Sequence, residues 1–289
     1  MVYENEEAIR ASVQHFVQER KYLTNVSPKT LLFYQCSFRA FEGSLRTAEA
    51  IKARIVDLRA RGLNPISINT YLTCIQAYFT WRGEAVRFPH LKTEQKVLNT
   101  FSPEQVGRLV RFKPKGRNLT RAHAVACLLL DTGLRISEAL NLAKSDIDLD
   151  NLVIRALGKG NKQRLVPFSL ELRRRLWLYL KGVNGPLAFP TRSGLKVTVR
   201  NFQRDFKLLG EAVHITGIRM SPHTCRHSFA CEYLRRGGNL EYLRRILGHS
   251  SILTTQKYLR SLGVADLQAA HEGLSPLTAE RGRMGEGMR

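Results

Sequence analysis

The chain has 289 residues, with 46 Lys+Arg against 24 Asp+Glu and a formal net charge of +22. Its length suits about two domains, and a hydrophobic content of 43% excludes a wholly disordered chain. Such a charge calls for a polyanion, either nucleic acid or an anionic membrane surface. No stretch approaches the ~18 apolar residues of a membrane span. The acidic start Tyr3-Glu4-Asn5-Glu6-Glu7 has no apolar signal segment. Nucleic acid is therefore the expected partner, and the cytoplasm the expected location. The cysteines (Cys36, Cys74, Cys127, Cys225, Cys231) are odd in number without a C-x-x-C pair, so free thiols and no metal site are expected.

Residues 1–88 read as a small all-helical unit. A first helix is expected from Glu4 to about Arg20, and a second from Pro28, carrying Leu31, Leu32, Phe38 and Phe41. Ile51, Ile55 and Leu58 recur on one helix face, with Gly62 as the stop; Ile68, Leu72, Ile75 and Phe79 repeat that spacing and end near Trp81. Phe88 to Lys96 breaks the periodicity, so 89–100 reads as a basic linker. A second unit, 101–275, opens at Ser102-Pro103-Glu104-Gln105, where a Ser cap, a first-turn Pro and a Gln three residues on make a capping box.

Another helix is expected from about Thr120 to Gly133. The period then changes: Leu152–Leu157 and Gln163–Pro167 are β-prone runs around Gly158-Lys159-Gly160-Asn161, a hairpin pattern. From Glu171 onward the pattern is helical again, broken at 182–190, Gly194, Gly237-Gly238 and Gly248. Residues 276–289 read as a disordered tail. The expected class is mainly α with a small β hairpin (α+β). Residues 1–98 carry 14 Lys+Arg against 9 Asp+Glu, which leaves a net +17 on the remainder. Charge of this kind gives affinity for phosphate without sequence preference.

Four segments of the second unit concentrate polar chemistry. They are Thr132-Gly133-Leu134-Arg135-Ile136-Ser137-Glu138, Lys159 at the hairpin turn, His223-Thr224-Cys225-Arg226-His227-Ser228, and Leu247-Gly248-His249 with Tyr258 nine residues beyond that last His. In this order and spacing they resemble the tyrosine recombinase, or phage integrase, family, whose pattern is T-G-x-R-x-x-E, a hairpin Lys, H-x-x-R, L-G-H and a Tyr. Ser27-Pro28-Lys29-Thr30-Leu31-Leu32-Phe33-Tyr34 and Ile68-Asn69-Thr70-Tyr71 are similar to the family's helical core-binding domain. The resemblance covers about residues 5–275. One departure is Cys225, where the family usually has a large apolar residue; a thiol can pack there as a small hydrophobe.

The resemblance implies a site-specific recombinase of double-stranded DNA. Tyr258 would attack a phosphate and conserve its energy in a 3′-phosphotyrosine, leading through a Holliday junction to exchanged strands. A tyrosine ionises near ~10, so cationic surroundings or a base must assist it. Arg135 and Arg226 would hold the non-bridging oxygens and the charge that grows on them. Lys159 would protonate the leaving 5′ oxygen, His223 would transfer protons near the nucleophile, and His249 would hydrogen-bond the phosphate. Glu138 and His227 would support these groups. Further implied features are a two-domain clamp on the duplex, a homo-tetramer on two inverted-repeat sites, no need for metal or ATP, and a prokaryotic, nucleoid-associated setting. Expected DNA contacts are Lys29, Thr30, Asn69, Thr70, Lys92, Lys96, Lys162, Arg164, Arg200 and Ser221.

Plainer readings stand beside these. A single Arg in so basic a chain is commonly solvated or a positioning contact, and Lys159 competes with Lys162 in its own turn. His227 reads equally as a core histidine with a satisfied hydrogen bond, and Glu138 as a first-turn acid favoured by the helix dipole. Past Tyr258, Val264, Leu267 and Ala270 line one face of a short helix that packs on its own domain or docks on a neighbouring subunit. Two other functions remain open on sequence alone: a type IB topoisomerase-like relaxing enzyme, and a non-catalytic architectural DNA-binding protein.

Overall fold

The computed structural model describes residues 5–94, 99–158 and 163–264, with positions 266, 268 and 271. The chain divides into two compact units, Met1–Lys96 and Val97–Arg289. The first contains α1 (Glu6–Tyr22), α2 (Pro28–Ala40), α3 (Ala48–Ala60) and α4 (Pro65–Trp81). Three of its helices start where a short polar side chain accepts an orphan backbone N–H: Ser27 from Thr30, Thr47 from Ala50 and Asn64 from Ile66. Their apolar faces converge on aromatic rings. Phe16 lies 5.5–5.9 Å from the rings of Tyr34, Phe38, Tyr78 and Trp81. Each such burial stabilises by roughly 1.5–3 kcal/mol.

The first unit does not stop at residue 88. Phe88 is buried in the same core, and its N–H donates to Gln76 Oε1 at 3.1 Å. Asn69 Nδ2 donates to the Leu91 carbonyl (2.9 Å) while its Oδ1 accepts the Leu91 N–H (2.7 Å). Two amide side chains of α4 thus take up the backbone polar groups of a stretch that has no helix or strand to satisfy them. Asn69 is therefore a corrected expectation: its amide fastens the chain leaving α4.

The second unit runs α5 (Pro103–Arg111), α6 (Arg117–Thr132), α7 (Ile136–Leu140), β1 (Ile147–Asp148), β2 (Val153–Leu157), β3 (Gln163–Pro167), α8 (Leu170–Lys181), α9 (Val199–Ala212), α10 (Pro222–Arg235), α11 (Leu240–Leu247) and α12 (Ile252–Gln256). The expected capping box is present: Ser102 Oγ accepts the Gln105 N–H and Gln105 Oε1 accepts the Ser102 N–H. Helix α6 is buried from Arg121 to Leu129 and packs against α8, α9 and α10. A charge is tolerated there because Arg121 Nη2 meets Asp205 at 2.7 Å and Nη1 meets the Pro190 carbonyl at 2.9 Å.

The three strands form an antiparallel sheet in chain order, with Ala156 opposite Arg164 and Arg155 opposite Leu165. Strand β1 has only two residues, too few for any periodic signal. Ile154, Ala156 and Val166 are fully buried, whereas Leu157 and Leu165 face outward. Cys225 is also fully buried, and burial pushes its thiol well up from the ordinary range, so it packs as a hydrophobe. Lys96, Lys159, Lys162, Leu267, Ala270 and the 276–289 tail lie outside the described residues. Among those described, no helix is long and apolar enough to cross a membrane.

Candidate active site

Two helix ends build the centre of the second unit. Gly133 closes α6 at φ +61° and Gly248 closes α11 at φ +64°, a left-handed turn that only glycine adopts without strain. A β-carbon on Gly133 would also come within 2.4 Å of Phe229 and 2.7 Å of Leu247. The carbonyls at these two ends point at arginines. Arg226, on α10, donates from Nη1 to Gly133 O at 2.5 Å and from Nη2 to Leu247 O at 2.9 Å. Arg135 donates from Nη2 to Gly248 O at 3.1 Å. Helix C termini carry partial negative charge, which is why two guanidiniums can sit side by side here. Their crowding is still felt: burial, then Arg135, brings Arg226 down to about 10.

Glu138 stands behind this pair with 4% of its side chain exposed. One oxygen accepts the Arg135 backbone N–H at 2.8 Å and the other accepts Arg135 Nη1 at 2.9 Å. Arg164 grips both oxygens, Nη1 and Nη2 each at 2.8 Å, and its Nε donates to the Ile246 carbonyl at 2.9 Å. Burial would raise the Glu138 carboxyl, but the hydrogen bonds from Arg164 and Arg135 outweigh it and hold the group below its usual range. Arg164 is accordingly a second correction. It was expected on DNA, but all three of its guanidinium nitrogens donate inside the protein, and 14% of its side chain is exposed.

His249 is buried, with Nε2 2.9 Å from Arg226 Nη2 and Nδ1 2.8 Å from Thr255 Oγ1. A guanidinium only donates, so Nε2 must accept, and the single ring proton sits on Nδ1 facing Thr255. Burial, reinforced by Arg226 and Arg135, lowers its pKa to about 4. His249 is thus a neutral ring that steadies Arg226, an arrangement in which it shows no N–H to a phosphate.

Tyr258 is 1% exposed. Burial pushes its phenol upward, and Arg226 opposes that shift. His249 stacks on its ring at 6.3 Å and His227 lies 5.6 Å away; His223 stacks on His227 at 6.4 Å. These four rings form a file from the buried Arg226 to the exposed start of α10. His227 contradicts its plainer reading, because its buried Nδ1 has no hydrogen-bond partner among the described residues. Burial, then Lys257 and His223, lowers its pKa to about 4.

The structure therefore gathers Arg135, Arg226, His249 and Tyr258, with Glu138 and His227, and leaves His223 at the exposed edge of the group. Elsewhere Lys29, Thr70, Lys92 and Arg200 are exposed. Thr30 shares a hydroxyl contact of 2.9 Å with Ser27, and Ser221 accepts the Thr224 N–H at 3.1 Å as the cap of α10. Thr255 and Lys257 were not singled out in the sequence, although both fall within the Thr254–Tyr258 run that carries the tyrosine. Chemically the group offers two positioned guanidiniums beside one buried phenol.

A sequence model of the phage integrase family matches residues 99–263. The chain is 31% identical over 262 residues to tyrosine recombinase XerA of Thermococcus kodakarensis, which covers 86% of this chain and 90% of that protein. It is 29% identical over 301 positions to tyrosine recombinase XerC of Chromobacterium violaceum, covering 96% and 97%. Among solved structures, the Tn1549 transposon integrase (residues 82–397) in complex with circular intermediate DNA superposes with a TM-score of 0.75 at 20% identity, covering 91% of this chain and 99% of that one. Fold and relatives define one class, the enzymes that transfer DNA strands by way of a tyrosine. The chain belongs to the phage integrase family and is a tyrosine-type site-specific DNA recombinase.

Proposed function

We propose that Tyr258 is the nucleophile. Its Oη forms a bond to the scissile phosphorus while the bond from phosphorus to the 5′ oxygen breaks, leaving a 3′-phosphotyrosine and a free 5′ hydroxyl. Arg135 and Arg226 hold the non-bridging oxygens and the charge that develops on them. The 5′ oxygen takes its proton from Lys159, and His223 handles the phenol proton at the open end of the ring file. The reverse attack by a 5′ hydroxyl from a second duplex exchanges strands through a Holliday junction, with four protomers on two inverted-repeat sites. Both units contact the same duplex, and binding weakens steeply with salt as phosphate-bound cations are displaced. No metal or ATP is required, since two guanidiniums supply the charge that metal ions bring to other phosphoryl-transfer sites.

The observation that carries this reading is the placement of a buried phenol and two guanidiniums in one cluster. The test uses duplexes selected from a random pool by their binding to the wild-type protein, then nicked near the repeat centre to trap the intermediate. Wild type should form a detergent-stable DNA adduct in the presence of a chelator, and Tyr258→Phe should bind equally but form none. An adduct-free wild type sinks the proposal. Relaxation of supercoiled plasmid by a monomer, with no recombinant product, would favour the topoisomerase reading.

A further inference from the structure

Lys257 stands beside the phenol of Tyr258 without a carboxylate partner among the described residues, and the end of the five-residue α12 offers it only a weak dipole. It caps the C terminus of α12, and its ammonium lies over the ring of the adjacent Tyr258, 5.1 Å from the centroid. It is partly buried, and no carboxylate pairs with it among the described residues; Glu138 is held by Arg135 and Arg164, and Asp266 by Arg235. Desolvation, then repulsion from Arg226, disfavours its charge. Its field is felt at His227 and His249, whose lowering it contributes to, whereas the cations that act on the neutral phenol are Arg226 and Arg135. A cation held at a cost, without an anion beside it, is placed for an anion that forms later.

We infer that Lys257 is a second electrostatic partner of Tyr258, whose ammonium over the ring face stabilises the phenolate during attack and again when the phenolate leaves. A neutral phenol offers that ammonium only the weak quadrupole of its ring, whereas a phenolate spreads a full negative charge into the same face. The preference is therefore for the reacting state. Lys257 moves no proton: it lowers the free energy of the charged oxygen while the proton goes elsewhere. This rests on Tyr258 as nucleophile for its meaning in catalysis, but its physical content concerns the phenol alone.

That separation allows a test without DNA. The full chain is prepared with 3,5-difluorotyrosine at position 258, whose phenol ionises closer to neutral pH, and its titration is followed by fluorine NMR. The groups facing this phenol are Arg226, His227 and Cys231 from α10, His249 from the turn before α12, and Arg135 from the start of α7. The two histidines are lowered to about 4 and Cys231 is raised by burial. His223, stacked on His227 at 6.4 Å, is changed (His223→Gln) in the parent and in each variant for this titration, so that no histidine of the file titrates with the phenol. Lys257→Met should raise the phenol pKa by about one unit, a tenfold loss of phenolate at a given pH, and Lys257→Arg should restore most of it.

A Lys257→Met titration that superimposes on the parent overturns the inference, as does one that Lys257→Arg fails to restore. Circular dichroism and melting of each variant separate a local field from misfolding. In the selected nicked duplex, Lys257→Met should slow adduct formation and religation alike by about tenfold at saturating protein. An effect on affinity alone would make Lys257 a phosphate contact and overturn its partnership with the phenol. A shifted phenol in a chain that forms no adduct would remove the recombinase assignment of Tyr258 and leave the electrostatic pairing intact.

Discussion

Around Arg226 and Arg135 the guanidinium nitrogens donate to three helix-end carbonyls, a buried carboxylate and a histidine nitrogen. Around Tyr258 the contacts are mainly ring faces, with one hydrogen bond from the Arg226 guanidinium to the phenol, and one buried nitrogen, His227 Nδ1, has no partner among the described residues. The first half is a hydrogen-bonded frame whose geometry is fixed before DNA arrives. The second is held by packing, in short elements, where side chains can shift at little cost in hydrogen bonds. Phosphate binding calls for the former, because donors must already point at the charge that develops. The proposed nucleophile, Tyr258, is 1% exposed and calls for the latter, since a phenol so buried must move to reach a phosphate.

The comparison is broken most directly at Glu138. Removing it leaves Arg135 and Arg164 facing one another without the anion that both now hold. Glu138→Ala should destabilise the second unit by ~3–5 kcal/mol, the usual cost of stripping one partner from a buried ion cluster. Glu138→Gln, which keeps an acceptor, should cost about half as much. Urea unfolding monitored by the native signal of the second unit gives both numbers. Losses below about 1 kcal/mol would mean that the frame is not the rigid half.

That frame was only partly legible in the sequence. The boxes around Gly133 and Gly248 could be read because a glycine at a helix end followed by a polar residue is a local signal, and its consequence, carbonyls turned onto arginines, follows from cap geometry. Arg164 could not be placed this way. Leu165 and Val166 are adjacent apolar residues, so alternation alone does not say which faces inward; only the pairing of Arg164 with the buried Ala156 puts the arginine inside and Leu165 out. Asn69 failed for a similar reason, because its partner Leu91 lies 22 residues away and belongs to no regular element. Most helices were legible from periodicity, but the break at 213–221 that separates α9 from α10 was not, and the two-residue β1 left no trace. Lys257 is not legible in the sequence because nothing local separates a solvated lysine from one folded over its neighbour's ring.

Acid should act on the histidines and on the frame's carboxylate in separate windows. His227 and His249 titrate near 6.5 when unfolded and at about 4 when folded. The unfolded state therefore takes up protons first, and stability falls as pH drops from about 6.5 toward 4. The loss should be on the order of 2 kcal/mol for each histidine by pH 5. Glu138, whose folded pKa is lowered, adds its own loss only below its unfolded value of 4.5. Denaturation midpoints between pH 8 and 5 should fall in wild type and about half as far in His227→Leu. An unchanged slope in that variant would show that His227 does not titrate with folding.

The smallest expected effect has the opposite sign, and that makes it the sharpest comparison. At neutral pH His227 contributes ring packing between His223 and Tyr258 but carries a buried nitrogen with no partner. Burying such a group without a hydrogen bond opposes folding. His227→Leu keeps most of the apolar volume and removes the orphan, so it should leave stability unchanged or raise it by up to about 1 kcal/mol. A polar residue deleted from the arginine frame should thus destabilise, while one deleted from the ring file should not. If His227→Leu instead costs more than about 1 kcal/mol at pH 8, the nitrogen is bonded in solution and the ring file is as firmly fixed as the frame. Where stability holds, adduct formation gives a second reading. A drop in its rate in a variant that folds and binds normally would assign that unsatisfied nitrogen to the moment when Tyr258 reacts.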